Sequence, residues 1–279
     1  MTGKERAFKK KVEELVKKAN SMEEAQVKNT IRILEAARKS VAAEVASTEW
    51  EAYRLPQLKA AIQRSMQEFG QLYNIDLTDA QLDFWEHGIN MVDGPIETIG
   101  IGLSLPEIDS TALAIMQGFT TDLVTNLTGD AVGKIQKELT MGIMGQKSPY
   151  EVMQAVGRNL KDKSIFRSIA ARAELITRQE CGRVLEAAQE ARRQQAAEII
   201  PDLGKEWCHA VHVRQPRVSH LAADGQKRKA NEPFDVGGEK LMYPRDPAGS
   251  AKNTIGCNCY TIPWHPNWEE AAEQAKEAA

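Results

Sequence analysis

Between Trp207 and Pro263 the chain abandons the pattern that governs everything before it. Upstream, apolar residues recur at helical spacing on a background of Ala, Glu, Gln and Lys. From Trp207 onward the chain is punctuated by turns: Asp224-Gly225, Gly237-Gly238 and Pro244-Arg245-Asp246-Pro247. Three of the four cysteines (Cys208, Cys257, Cys259) fall in this stretch, with His209, His212 and His220. This contrast points to a mainly α protein: an elongated helical N-terminal body and a small α+β C-terminal module. Pro201 and Gly204 mark the break. The expected domains are 1–199 for the helical body, 200–266 for the module and 267–279 for an acidic C-terminal helix.

The body is read from its stripes. Phe8, Val12, Leu15, Val16 and Ala19, then Val27, Ile31, Leu34, Ala37, Val41 and Val45, describe one or two long helices over 4–46. So thin a stripe on so polar a helix suits a docking arm or an ordinary bundle helix equally. Ser21 with Glu24 has the spacing of a capping box that restarts the helix, as do Thr78 with Gln81 and Ser148 with Glu151. Pro56 fits a first helical turn, and Asp93-Gly94-Pro95 predicts a stop. Residues 96–106 read as a packed loop or a short strand. Asp109-Ser110 predict a helix start, Thr128 another, and Ser164 opens a helix to about Ile199.

In the module, strands are expected over Trp207–Val213, Glu239–Met242 and Cys257–Ile262, with a helical turn over Arg217–Leu221. Period two would put both sulfurs of Cys257 and Cys259 on one strand face. A disulfide between them is disfavoured there, because same-face neighbours hold their Cα atoms too far apart. His220, Cys257 and Cys259 offer one nitrogen and two sulfurs, a set that suits a structural zinc ion; Cys208, His209 and His212 offer more ligands. The alternative is a small core in which the thiols pack as hydrophobes and His220 makes a hydrogen bond.

These residues also carry a resemblance. Trp207, Arg217, Ser219, His220, Asp224-Gly225, Glu232 with Phe234, Pro244 to Pro247, Cys257, Cys259 and Pro263 follow an order that resembles the phage Mu F-like minor head proteins. Upstream, Ile176-Thr177-Arg178-Gln179-Glu180 is similar to a segment of the same head-morphogenesis family, so the likeness covers roughly 135–265. Val213, Gln215, Gly256 and Asn258 depart from its usual residues. The resemblance implies a minor capsid protein of the virion, inside the phage head at the portal and made in the host cytoplasm. It implies a role in head morphogenesis and in DNA packaging or ejection. Portal protein is the implied partner, with scaffold or major capsid protein and nonspecific double-stranded DNA beside it. Arg178, Glu180, Arg217 and Asp224 become candidates for a structural polar network, and Lys227, Arg228 and Lys229 for DNA contacts.

Other classes are weighed against this. Net charge is −3, so the whole chain is no electrostatic nucleic-acid binder, although residues 71–148 are markedly acidic between more basic flanks. No apolar run of about 20 residues could cross a bilayer, and the polar start does not read as a signal peptide. Four cysteines do not make a disulfide scaffold. G-x-S-x-G, P-loop and H-E-x-x-H patterns are all missing, so no catalytic residues are expected. An enzymatic alternative remains: a virion-carried nuclease or toxin-like protein using His220 with Asp224, Glu232 or the cysteines. A third reading is an assembly factor that stays in the cytoplasm.

Overall fold

The computed structural model describes residues 2–47, 50–210 and 215–277. Five long or medium helices come first: α1 (Gly3–Ser47), α2 (Leu55–Thr98), α3 (Thr111–Ile143), α4 (Pro149–Val156) and α5 (Ile165–Ala197). The module follows as β1 (Gly204–Cys208), α6 (Val218–Ala223), β2 (Lys227–Lys229), β3 (Phe234–Val236), β4 (Glu239–Leu241), α7 (Ala251–Thr254), β5 (Tyr260–Trp264) and α8 (Trp268–Glu277). The protein is mainly α with a small β-containing C-terminal part, as the patterning predicts.

The helices are longer than their local signals suggest. Ser21, Thr78 and Thr128 open nothing. Each hydroxyl donates back to the carbonyl four residues earlier, Lys17, Asn74 and Val124, inside an unbroken helix. A break at any of them would orphan about four N–H and four C=O groups. It would also interrupt buried stripes such as Phe69, Tyr73, Leu77 and Phe84 on α2. Pro95 likewise does not stop α2, which runs one turn past it to Thr98. The proline removes one backbone bond, but Val92, Ile96 and Ile99 around it are fully buried. The stop is Gly100, at φ 92, where the Ile99 and Gly100 amides close the last turn on Ile96 and Glu97. Residues 101–109 form a loop with Ile101 buried, not a strand.

Other local signals hold. Ser148 and Glu151 form a complete capping box on α4, with Pro149 in its first turn. Asp109 accepts the Thr111 amide at the start of α3, and Ser164 accepts the Arg167 amide at the start of α5. A second capping box, Thr2 with Glu5, starts α1.

Contacts group the chain into two compact units. One comprises Met1–Glu23, Gln81–Ala114 and Gln179–Ala279; the other comprises Glu24–Ala80 and Ile115–Arg178. Neither ends at residue 199, where composition alone places a domain boundary. In the first unit, the second half of α5 belongs with the module, and α8 buries Ala271 and Ala272 against Val92, Ile96, Ile200 and Leu203. The second unit buries Leu34, Ile62, Met66, Phe69 and Phe166, and the Tyr73 hydroxyl donates to the Ala173 carbonyl.

The module holds two small antiparallel sheets, ordered β2-β1-β5 and β3-β4. Gly237-Gly238 form a two-residue hairpin turn with φ 59 and 84, a conformation that favours glycine at both positions. β1 spans Gly204–Cys208 instead of the expected Trp207–Val213, and Val211–Arg214, which include His212 and Val213, lie outside the described residues. β5 begins at Tyr260, so Cys257 and Cys259 precede the strand instead of sharing one of its faces. Gly256, at φ 65, turns the chain immediately before them.

Candidate metal centre and its surroundings

Trp207 organises the module from β1. Its backbone amide donates to Gln226 and its carbonyl accepts from Gly225, which locks the strand to the Asp224-Gly225 turn. Its indole is completely buried and packs edge-on against Phe234 (5.3 Å between centroids) and His220 (6.0 Å). Ala223, Val236, Leu241, Cys257 and Cys259 complete this core.

His220 projects from α6 into that core. Its Nδ1 lies 3.5 Å from the Cys257 Sγ and 3.4 Å from the Cys259 Sγ. No two of the three ligand atoms are more than 4.8 Å apart. The residues are 3%, 1% and 2% exposed, and both thiols are free. The three residues singled out as ligands are therefore together, brought there by a helix and a turn, not by a strand face. His209 is elsewhere: its backbone amide donates to Asp224. Cys208 is part-buried at the end of β1, and burial, with Glu206 and Asp224 nearby, pushes its thiol up to about 12.

The two clustered thiols titrate as one pair. A proton shared with Cys259, together with His220 and Arg245, draws the first ionisation at Cys257 well below the ordinary thiol value. The thiolate so formed, and burial, push Cys259 up, while the nearby Arg245 charge pulls it down. Buried nitrogens without hydrogen-bond partners among the described residues include Trp207 Nε1 and His220 Nε2 in the module core, and Arg245 Nε by Gly182.

Arg245 is the buried residue of these surroundings that residue-type reasoning passes over. It stands in the left-handed region at φ 66, which strains a non-glycine residue, and is only 6% exposed. Its guanidinium lies directly over Gly182 of α5, where a Cβ would overlap it, and Glu23 is 3.9 Å away. A glycine in the middle of a long helix is the signal that could have pointed here. Behind it, α5 meets the module through buried polar groups. Glu186 accepts from Thr261 (2.9 Å) and Gln189 (3.1 Å). Glu190 accepts from Lys205 (2.8 Å) and Arg193 (2.7 Å), and Arg193 also donates to Thr261. Burial drives Glu186 up to about 7 and Lys205 down to about 8.

The four residues expected to share a polar network are dispersed. Arg178 pairs with Glu24 (2.8 Å) and Glu174 (3.1 Å) with its side chain about a quarter exposed. Glu180 is buried beside Arg183, and burial raises its carboxyl against the pull of Arg183 and Arg245. Arg217 donates to the Ile255 carbonyl, and Asp224 accepts from His209. The three DNA candidates lie on β2, each beside a carboxylate: Lys227 with Glu206, Arg228 with Asp235 and Lys229 with Asp202.

Comparison with known proteins returns one distant relative. The chain is 31% identical over 114 residues to a Bacillus subtilis (strain 168) protein named only as the uncharacterized protein YqbB. That stretch is 40% of this chain and 36% of the relative, so the chain spans about a third of the length of the curated protein it matches. No family model matches, and no solved structure matches. Among the described residues, no helix is long and apolar enough to cross a membrane.

Proposed function

We propose that this chain is a minor head protein of a bacteriophage, resident in the virion near the portal and acting in head assembly and in packaging or delivery of DNA. One observation supports the reading best. The residues that carry the resemblance are far apart in sequence yet meet in one packed unit. Trp207, Phe234, Cys257 and Cys259 share a core with His220 beside it, and Arg245 of the Pro-Arg-Asp-Pro turn neighbours Glu180 of the upstream segment. A pattern drawn from unrelated loops would have no reason to converge in this way.

An architectural role also suits the burial. With His220, Cys257 and Cys259 at most 3% exposed, a nucleotide or peptide could not touch them without opening the core. The nuclease or toxin-like reading therefore has no observation in its favour at this cluster. The partners that follow from the proposal are a portal protein, with scaffold or capsid protein beside it.

The test is co-production of the full chain with the portal, scaffold and capsid proteins of a phage whose genome carries its gene. The chain should co-purify with the portal and be found by mass spectrometry in density-purified heads. His220→Ala and Glu180→Ala should melt at lower temperature and enter heads less often, because each strands buried partners at about 1–3 kcal/mol. Heads that assemble to normal number and composition with the chain found only in the soluble fraction would end the proposal. A His220→Ala protein that folds and incorporates normally, in particles failing only after DNA delivery, would favour the enzymatic reading.

A further inference from the structure

We infer that His220 Nδ1, Cys257 Sγ and Cys259 Sγ are three ligands of a tightly held zinc ion that cross-links α6 to the turn entering β5. A tetrahedral zinc with Zn–S near 2.3 Å and Zn–N near 2.0 Å separates its sulfur and nitrogen ligands by about 3.5 Å. The observed separations of 3.5 and 3.4 Å match two edges of that tetrahedron, and all three ligand atoms lie close enough to form one face. The same nitrogen of the ring meets both sulfurs, as a single metal ion between them requires.

The donor set selects the metal class. Two thiolates and an imidazole are soft to borderline ligands, which suit Zn2+ and exclude the hard, oxygen-seeking cations. Three protein ligands leave the fourth position of the tetrahedron to another donor. Bound zinc would keep both sulfurs deprotonated, and the surroundings are built for that state. Trp207 Nε1, in the same core as the cysteines, is a buried donor without a partner among the described residues. A neutral thiol sulfur is only a weak acceptor, and a zinc-bound thiolate is a stronger one. Metallation at Nδ1 would place the ring proton on Nε2, which has no hydrogen-bond partner among the described residues. The need is plain from the size of the module: three-residue strands and short helices around one small core gain stability from a cross-link between chain segments 37 residues apart. Burial at 3% exposure or less keeps the ion out of bulk solvent.

The experiment uses the untagged full chain, purified without chelator. Elemental analysis should find about one zinc per chain. Cobalt substitution should give the intense near-ultraviolet charge-transfer band of thiolate ligands. Cys257→Ser and Cys259→Ser should each lose most of the zinc and the band, while Cys208→Ser, a thiol outside the cluster, keeps both. Should the cluster variants fail to fold, the native protein decides. A strong chelator should release the zinc and lower the melting temperature, and added zinc should restore it. A folded, metal-free chain whose melting ignores both chelator and zinc overturns the inference. Stoichiometric copper or iron in place of zinc overturns the metal assignment. The site stands apart from the head-protein proposal: a zinc-loaded chain missing from heads would sink that proposal and leave this one.

Discussion

Glu186 lies wholly buried on α5, its carboxylate accepting from Thr261 and Gln189. Burial raises it to about 7, against the Thr261 hydrogen bond and the pull of Arg193 and Arg245. Since its folded value exceeds the unfolded one, the folded state holds the proton more tightly. The stabilisation it contributes is complete below the unfolded value and is lost as pH rises through 7. Glu186→Gln removes the desolvated charge and keeps the shape. Relative to the native protein, the variant should gain roughly 1–3 kcal/mol between about pH 5 and pH 8. Parallel thermal melts at the two pH values check this, and curves that keep a constant offset would refute it. Gly182 allows an opposite test. Alanine normally improves a helix interior by about 1 kcal/mol. Here its Cβ would displace the Arg245 guanidinium, which has the Glu23 carboxylate beside it, so Gly182→Ala should lower the melting temperature. A rise would mean that Arg245 has room to move.

Caps and breaks decide the helices only where burial does not. Ser148 satisfies the Glu151 amide while Glu151 satisfies the Ser148 amide. Ser148→Ala should therefore cost about 1 kcal/mol. Thr78 has the same local spacing to Gln81 but lies mid-helix, its hydroxyl returned to Asn74. Thr78→Ala should be neutral or stabilise by a few tenths of a kcal/mol, since alanine is the better helix former. Chemical denaturation of the two variants distinguishes them, and equal losses would mean that the Thr78 turn works as a start after all. The same competition explains Pro95, whose lost backbone bond is outweighed by the apolar residues on either side.

Net charge of −3 leaves little long-range attraction for DNA. Locally, the carboxylates of Glu206, Asp235 and Asp202 cancel part of the field of Lys227, Arg228 and Lys229. If the chain retains duplex DNA at about 50 mM salt, changing all three to alanine should flatten the salt dependence by well under the roughly 0.9 per cation of a free phosphate contact. A reduction near the full value for three contacts would show that these cations leave their carboxylates for phosphate. No retention at all would remove direct DNA contact from the proposal.

Much of this protein is legible in its residues. A helical stripe places α1, Pro56, Asp109-Ser110 and Ser164 place the starts of α2, α3 and α5, Pro201 and Gly204 mark the change of texture, and Gly237-Gly238 mark a turn. His220, Cys257 and Cys259 announce themselves by residue type, since few other groups offer soft ligands. What local spacing could not reveal is which cap signals are used, because Ser21, Thr78 and Thr128 satisfy a capping pattern and a helix interior equally well. Long-range burial chose the interior, as a break would have exposed apolar stripes and stranded backbone groups. Nor could spacing place the two cysteines before β5 instead of within it, or bring Arg245 over Gly182. Those outcomes depend on segments more than thirty-five residues apart sharing one small core. The pattern of side chains determined which elements and which ligands exist; only the packing of those elements against one another decided where each helix ends and which side chains meet.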